Sequence, residues 1–509
     1  MESIPVKNPI IPLDYPDPDI IRVGDMYYMV STTMYFFPGC EILKSNDLVH
    51  WEHACYVYSH LDSTDAQKLS DNKNIYGKGM WAASLRYHNG TFYVLFVAND
   101  TQKTYLFTTN DLTKAWNKRY LEGFYHDASL LFDDDGRVFI VYGNTEIWLT
   151  ELNSELSGPK KNGLHRLIIN EKNPMLGHEG AHFYKINGRY YIFLIRSLPD
   201  RWMRVQSCFT SDSIEGEFKG RDILSDDRGY TGQGVAQGGI VDTPQGDWYT
   251  VLFQDMGAVG RLPILVPFKW DNNFPVIGED EKIPDSFSVQ VPESRKYNPL
   301  VGSDDFKEST ESYYGLNPFW QFNHEPDEES FILNHTKGYY EMTNHYLVDS
   351  LLQSKNTLTQ RMLYPKSSAE VTVDFSRLKD GDITGLCALQ GAYGFIAVTK
   401  REGKCYLTMN SVSQSEDPVH VEAYLPERKW EEIELVQAEV ELKAVADFTD
   451  GRDEVTFYYK DNNTYKQMGP AHKVYFKLDH FTGCRYGLFS YATRDIGGKS
   501  RFSHFKYSK

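Results

Sequence analysis

Cysteine is scarce in this chain of 509 residues: there are six, at positions 40, 55, 208, 387, 405 and 484, with no Cys-x-x-Cys pair among them. A dense disulfide framework and a thiolate zinc site are thereby excluded, and free thiols of a reducing compartment are expected. Long apolar runs are missing as well. The stretch 259–268 is short and broken by Pro263 and Pro267, so no membrane-spanning helix is expected. The opening Met-Glu-Ser-Ile-Pro-Val-Lys-Asn-Pro lacks the basic-then-apolar pattern of a signal peptide. The expectation is a cytoplasmic protein, or a secreted one if a leader has been trimmed away. Basic charge is also in short supply, with 53 Lys and Arg against 70 Asp and Glu and a net charge of −17. Nothing offsets phosphate repulsion, which argues against nucleic acid and anionic membranes as partners and fits neutral ligands.

What the chain does have is aromatic β-pattern, with aromatics at 14% and 35 tyrosines. One unit recurs five times: a short apolar strand, a tight turn with Gly, and a second strand rich in Tyr, Phe and Trp. The copies span 18–33, 83–100, 128–144, 181–197 and 238–255, with turn glycines Gly24, Gly90, Gly136, Gly188 and Gly246. A second element follows the first, second and fourth copies: Ser45-Asn46-Asp47-Leu48 with Trp51, Thr109-Asn110-Asp111-Leu112 with Trp116, and Ser211-Asp212-Ser213 with Phe218. Glycine spacings of 46 to 66 residues suit propeller blades of about four strands. The reading is all-β: a five-bladed β-propeller over 1–298, followed by a β-sandwich over 299–509. The stretch 289–303, with Pro292, Pro299 and Gly302, reads as the linker. Beyond it, short strands at 370–375, 394–398, 405–409, 433–436, 443–448, 455–459 and 486–491 recur with no blade repeat.

Counting back nine residues from the last four turn glycines gives Trp81, Asp127, Glu179 and Gln237; counting back seven from Gly24 gives Asp17. A radial repeat sets equivalent positions around one axis, so three acids should meet in one funnel. Carboxylates brought together repel, and one or more must hold its proton more tightly. Glycoside hydrolysis uses such an arrangement: one acid donates to the leaving oxygen while another activates water or attacks the sugar. Singly, each acid has a plainer explanation. Asp17 in Tyr15-Pro16-Asp17-Pro18-Asp19 suits a turn cap, Asp127 a turn, and Glu179 a surface charge. Trp81 and the Tyr35-Phe36-Phe37 run could wall a sugar site or simply fill the core, and Arg261 could bind hydroxyls or pair with an acid. His178-Glu179-Gly180-Ala181-His182 matches the HExxH zinc pattern, but alternating Phe183-Tyr184-Lys185-Ile186 marks strand entry. Extended chain would hold the two imidazoles about 13 Å apart, too far to share an ion.

These residues resemble glycoside hydrolase family 43. The likeness lies in Tyr15-Pro16-Asp17-Pro18-Asp19, Gly79-Met80-Trp81-Ala82, His126-Asp127-Ala128-Ser129-Leu130 and His178-Glu179-Gly180-Ala181-His182. In the tail, Asp349-Ser350-Leu351-Leu352, Leu358-Thr359-Gln360-Arg361, Asp380-Gly381-Asp382 and Gly391-Ala392-Tyr393-Gly394 resemble the C-terminal sandwich of its xylosidase and arabinofuranosidase branch. The resemblance implies an exo-acting, inverting enzyme that releases β-D-xylose or α-L-arabinofuranose from the ends of plant-derived oligosaccharides and needs no cofactor. Asp17 would be the general base, Glu179 the general acid and Asp127 the modulator of the acid. Arg261 would contact the terminal sugar, with Phe37 and Trp81 as its walls. Relatives often carry an axial His associated with a cation; Gln237 stands there instead. A structural calcium at Asp304 and Asp305 is an open reading, because the last strand, Phe502-Ser503-His504-Phe505, offers no carboxylate. Two rivals remain at this point: a retaining fructosidase-like enzyme, whose usual opening motif is absent, and a non-catalytic carbohydrate-binding protein. The sequence carries no sign of oligomeric state.

Overall fold

The computed structural model describes residues 2–230, 232–278, 280–291, 295–415 and 424–509. Among these, five four-stranded antiparallel sheets follow one another from Asp19–Val23 to Phe274–Ile277, each built from consecutive strands except the first, which skips Phe36–Phe37. Their first strands, Asp19–Val23, Met80–His88, Ser129–Phe132, Glu179–Ile186 and Ile240–Asp242, pack side by side around a common axis. These are the expected blades. All five turn glycines take a left-handed backbone, with φ from 62° to 88° and open space where a Cβ would stand. Conformation, not crowding, therefore selects glycine at these turns. The outer elements are side-chain-closed turns: Asp47 accepts from the Val49 and His50 amides, and the Trp51 indole donates to the Leu48 carbonyl.

The axis is sealed by a polar cluster to which every blade contributes. Asp19 accepts from Arg86 Nη1 at 2.7 Å and from the Leu85 amide at 2.8 Å, and lies 3.0 Å from His182 Nδ1. Arg86 also donates to Ser129 Oγ and to the Leu130 carbonyl. Tyr184 donates to Asp19 and accepts from the Ile240 amide.

The region read as a linker is partly strand. Ser288–Val291 pairs with Glu2–Pro5, and the chain entering the first blade runs beside the last, with Ile10 and Tyr15 amides donating to the Pro263 and Arg261 carbonyls. Pro292 lies outside the described residues. The C-terminal half is a sandwich of a seven-stranded and an eight-stranded sheet. Each of the seven expected strands is present, from Lys366–Arg377 to Arg485–Ala492. The eight-stranded sheet ends on a strand from the propeller: Phe36–Phe37, from the first blade, pairs with Gln321–Asn323. One hydrophobic core runs across the boundary, joining Leu13, Tyr15 and Val259 to Phe322, Leu358 and Tyr486.

Candidate active site

The inner strands begin at one face of the propeller, and the residues at their entrances line one pocket. It includes Asp17, Trp81, Asp127, Glu179, Gln237 and Arg261, six of the sequence-predicted residues. Asp17, Asp127 and Gln237 share a left-handed backbone, with φ of 52°, 49° and 58°. In the fourth blade the left-handed residue is Gly180, one position later, and the strand bulges between Glu179 and His182. The second blade has the same irregularity between Trp81 and Ser84. Gly180 is required there for a second reason: a Cβ would stand 2.6 Å from Gln237 Cδ.

The acids have different company. Asp17 receives Arg261 Nη1 at 2.9 Å and Thr32 Oγ1 at 2.7 Å, which fixes its orientation. Asp127 is buried and accepts from the Gly180 amide. Burial pushes its carboxyl up to about 7; the His126 charge opposes this, and the charges of Glu179 and Asp17 add to it. His126 sits 3.5 Å from both Asp127 and Glu179, and the acids, Asp127 first, raise it to about 9 against the opposing effect of burial. Asn144 donates to Glu179 Oε2. Glu179 is the more open of this pair, with its side chain 19% exposed against 7% for Asp127. His126, Asp127 and Glu179 bring ligand atoms within 4.8 Å of one another. The same closeness lets a proton pass among the three side chains.

Three sequence expectations change or sharpen. Phe37 does not line the pocket: its ring is buried against Tyr58, in the strand that joins the sandwich. Its place is taken by Phe481, from the sandwich, whose ring centroid is 5.6 Å from that of Trp81 and 4.3 Å from Arg261 Cζ. The open calcium reading at Asp304 and Asp305 gains no support from their surroundings. Asp304 spends its oxygens on the Phe306 amide, Asn317 Nδ2 and Trp320 Nε1, while Asp305 accepts from the Lys307 amide beside the Lys307 ammonium. A hard cation needs those oxygens free. The HExxH segment is a strand, as read: His178 sits against Ser207 and Phe209, and His182 faces Asp19. The axial Asp19 is already paired with Arg86 and contacts His182, and the Gln237 backbone N–H donates to Gln206 Oε1.

Sequence reading missed His126, Asn144, Arg204, Phe253 and Phe481. His126 stood inside a quoted motif, next to Asp127. Arg204 opens the third strand of the fourth blade and Phe253 closes the second strand of the fifth. Both strand ends return to the face where the inner strands begin, a position that blade topology could have supplied.

Residues 6–275 match the model of glycosyl hydrolases family 43, and residues 303–508 match that of the beta xylosidase C-terminal concanavalin A-like domain. The chain is 26% identical to a beta-xylosidase of Formosa agariphila over 98% of this chain and 90% of that one. It is 25% identical to a non-reducing end alpha-L-arabinofuranosidase of Bacteroides ovatus, over 75% of this chain and 73% of that one. Among solved structures, a bifunctional family 43–CE protein of Bacteroides eggerthii superposes with a TM-score of 0.91 at 39% identity, covering 99% of this chain and 64% of that one. Three acids in one propeller pocket, a sandwich residue completing it and family matches over both halves converge: this chain belongs to glycoside hydrolase family 43 and hydrolyses O-glycosyl bonds.

Proposed function

We propose that the enzyme removes single pentoses, β-D-xylose or α-L-arabinofuranose, from the non-reducing ends of hemicellulose oligosaccharides, with inversion at the anomeric carbon. The observation that carries this reading is the asymmetry of the pocket. Asp17 is held by Arg261 and Thr32 in one part of it, while Asp127, Glu179 and His126 form a separate, proton-retaining group. In this scheme Asp17 takes a proton from a water that attacks the anomeric carbon, and Glu179, the more open of its pair, gives a proton to the departing oxygen. Asp127 keeps that proton on the pair, because burying two negative charges side by side is unfavourable. Room for a water between base and acid requires a separation of about 6.5–9.5 Å. The Phe481 cover favours a chain end over a chain interior. The names of the Formosa and Bacteroides ovatus relatives support a pentose as the released sugar.

The test is a panel of 4-nitrophenyl pentosides to identify the sugar, then Asp17→Asn and Glu179→Gln on the matching pentobiose, whose sugar leaving group needs a proton, with proton NMR of the first-formed anomer. Each variant should lose at least about 100-fold in kcat while still binding sugar, the usual scale for removing a general acid or base. Immediate appearance of the retained anomer would refute inversion, and undiminished turnover in either variant would refute the assignment of roles.

A further inference from the structure

The three acids line one pocket at the entrance face of the propeller. The fourth blade carries the proposed acid, so the leaving group departs on that blade's side. The connection on that side, 198–203, joins Arg189–Ser197 to Arg204–Ser211 at the pocket face. It is tied down at its base: the Leu198 amide donates to the Met203 carbonyl, and the Met203 amide to Ser197 Oγ. Next to that base stands Trp202, 45% exposed.

Trp202 is the outer member of an alternating stack of rings and guanidinium groups. Arg204 Cζ lies 5.6 Å from the Trp202 ring and 5.3 Å from Phe253; Arg261 Cζ lies 5.3 Å from Phe253 and 4.3 Å from Phe481. Arg204 is anchored by Asp255 at 2.7 Å, and Arg261 by Asp17. Four of the five members line the pocket. The fifth, Trp202, extends the same wall outward to solvent.

We propose that Trp202 is the platform on which the first sugar ring of the leaving group stacks, so that it selects oligosaccharides over glycosides with small leaving groups. A half-exposed indole on a loop closed at its base offers a sugar's C–H face an apolar surface that needs little ordering on binding. This inference rests on Glu179 being the acid, since that choice sets the side of departure.

The experiment compares the parent enzyme, Trp202→Ala and Trp202→Phe on xylobiose and β-D-xylosyl fluoride. For a parent that prefers arabinose, α-1,5-arabinobiose and the arabinofuranosyl fluoride are used. A fluoride substrate places nothing on the platform. Trp202→Ala should lower kcat/KM for the disaccharide about tenfold more than for the fluoride, chiefly through KM, and Trp202→Phe should restore most of it; tenfold is the scale of one ring contact. Equal losses on both substrates would reduce Trp202 to a pocket support, and no loss on either would make it plain surface; each overturns the inference. If the parent is inert to both fluorides, the reaction assigned above fails. Trp202 is then judged by calorimetry of xylobiose, whose Kd should weaken about tenfold in Trp202→Ala relative to xylose; an unchanged ratio refutes the platform.

Discussion

Asp19 and Asp127 belong to the entrances of the first and third inner strands, are both buried, and behave in opposite ways. Burial is the largest influence on each and drives both carboxyls upward. At Asp19 the Arg86 charge, the His182 charge and hydrogen bond, and the Leu85 amide more than reverse it, and the group falls to about 2. At Asp127 the His126 charge and one backbone amide do not, because the charges of Glu179 and Asp17 add to burial, and the group rises to about 7. Equal enclosure thus yields a structural anion at the axis and a proton-retaining acid at the mouth. The difference is decided by who donates, not by depth.

Replacing each in turn should separate the two. Asp19→Asn strands Arg86 in the axis without its charged partner and should remove about 3–5 kcal/mol of stability, read from urea denaturation. Asp127→Asn in the same assay should be neutral or stabilising at pH 7, since it removes a buried charge from a crowd of like charges. Equal losses would break the contrast. In activity the order reverses for the folded proteins: Asp127→Asn should lower kcat/KM by about 100-fold with its denaturation midpoint retained.

The finest test is the dependence of stability on pH. Asp127 is raised above its unfolded value of about 3.9, so the folded chain binds the extra proton between about 4 and 7. Its contribution is therefore most favourable at low pH and is lost as pH climbs through that window. Asp19 is depressed, so its stabilisation is present above about 4 and disappears as pH falls toward about 2. Urea midpoints taken stepwise should show Asp127→Asn flattening the decline from about pH 4 to 7, and Asp19→Asn flattening the acid limb below about 4. The same slope in both variants would mean that the two carboxyls are not in distinct environments.

The blades were legible because each hairpin needs a left-handed residue at its turn, and glycine marks that locally. The acids were legible for a related reason, since their distance from the turn is nearly fixed. It is only nearly fixed: bulges after Trp81 and Glu179 absorb extra residues, so counting found Glu179 although Gly180 holds the equivalent backbone position. Asp19 was quoted in a motif and given no role, because its significance depends on Arg86 and His182, 67 and 163 residues away. Phe37 was misplaced for a similar reason. Its partner strand, Gln321–Asn323, lies in the other half of the chain, and no local pattern announces that pairing. Phe481 was invisible on the same grounds, for a loop that follows no repeat gives no hint of which cavity it enters.

The phenylalanine pair at 36–37 has a practical consequence for anyone who treats the two halves as interchangeable modules. A cut near residue 300 looks clean on paper, yet it unzips a ladder, bares the edge of an eight-stranded sheet to stray strands, and leaves the substrate hollow without its Phe481 side. A chimera with a foreign C-terminal half would inherit all three defects at once. Successful grafts should need the first blade's 36–37 loop transplanted together with the sandwich that holds it.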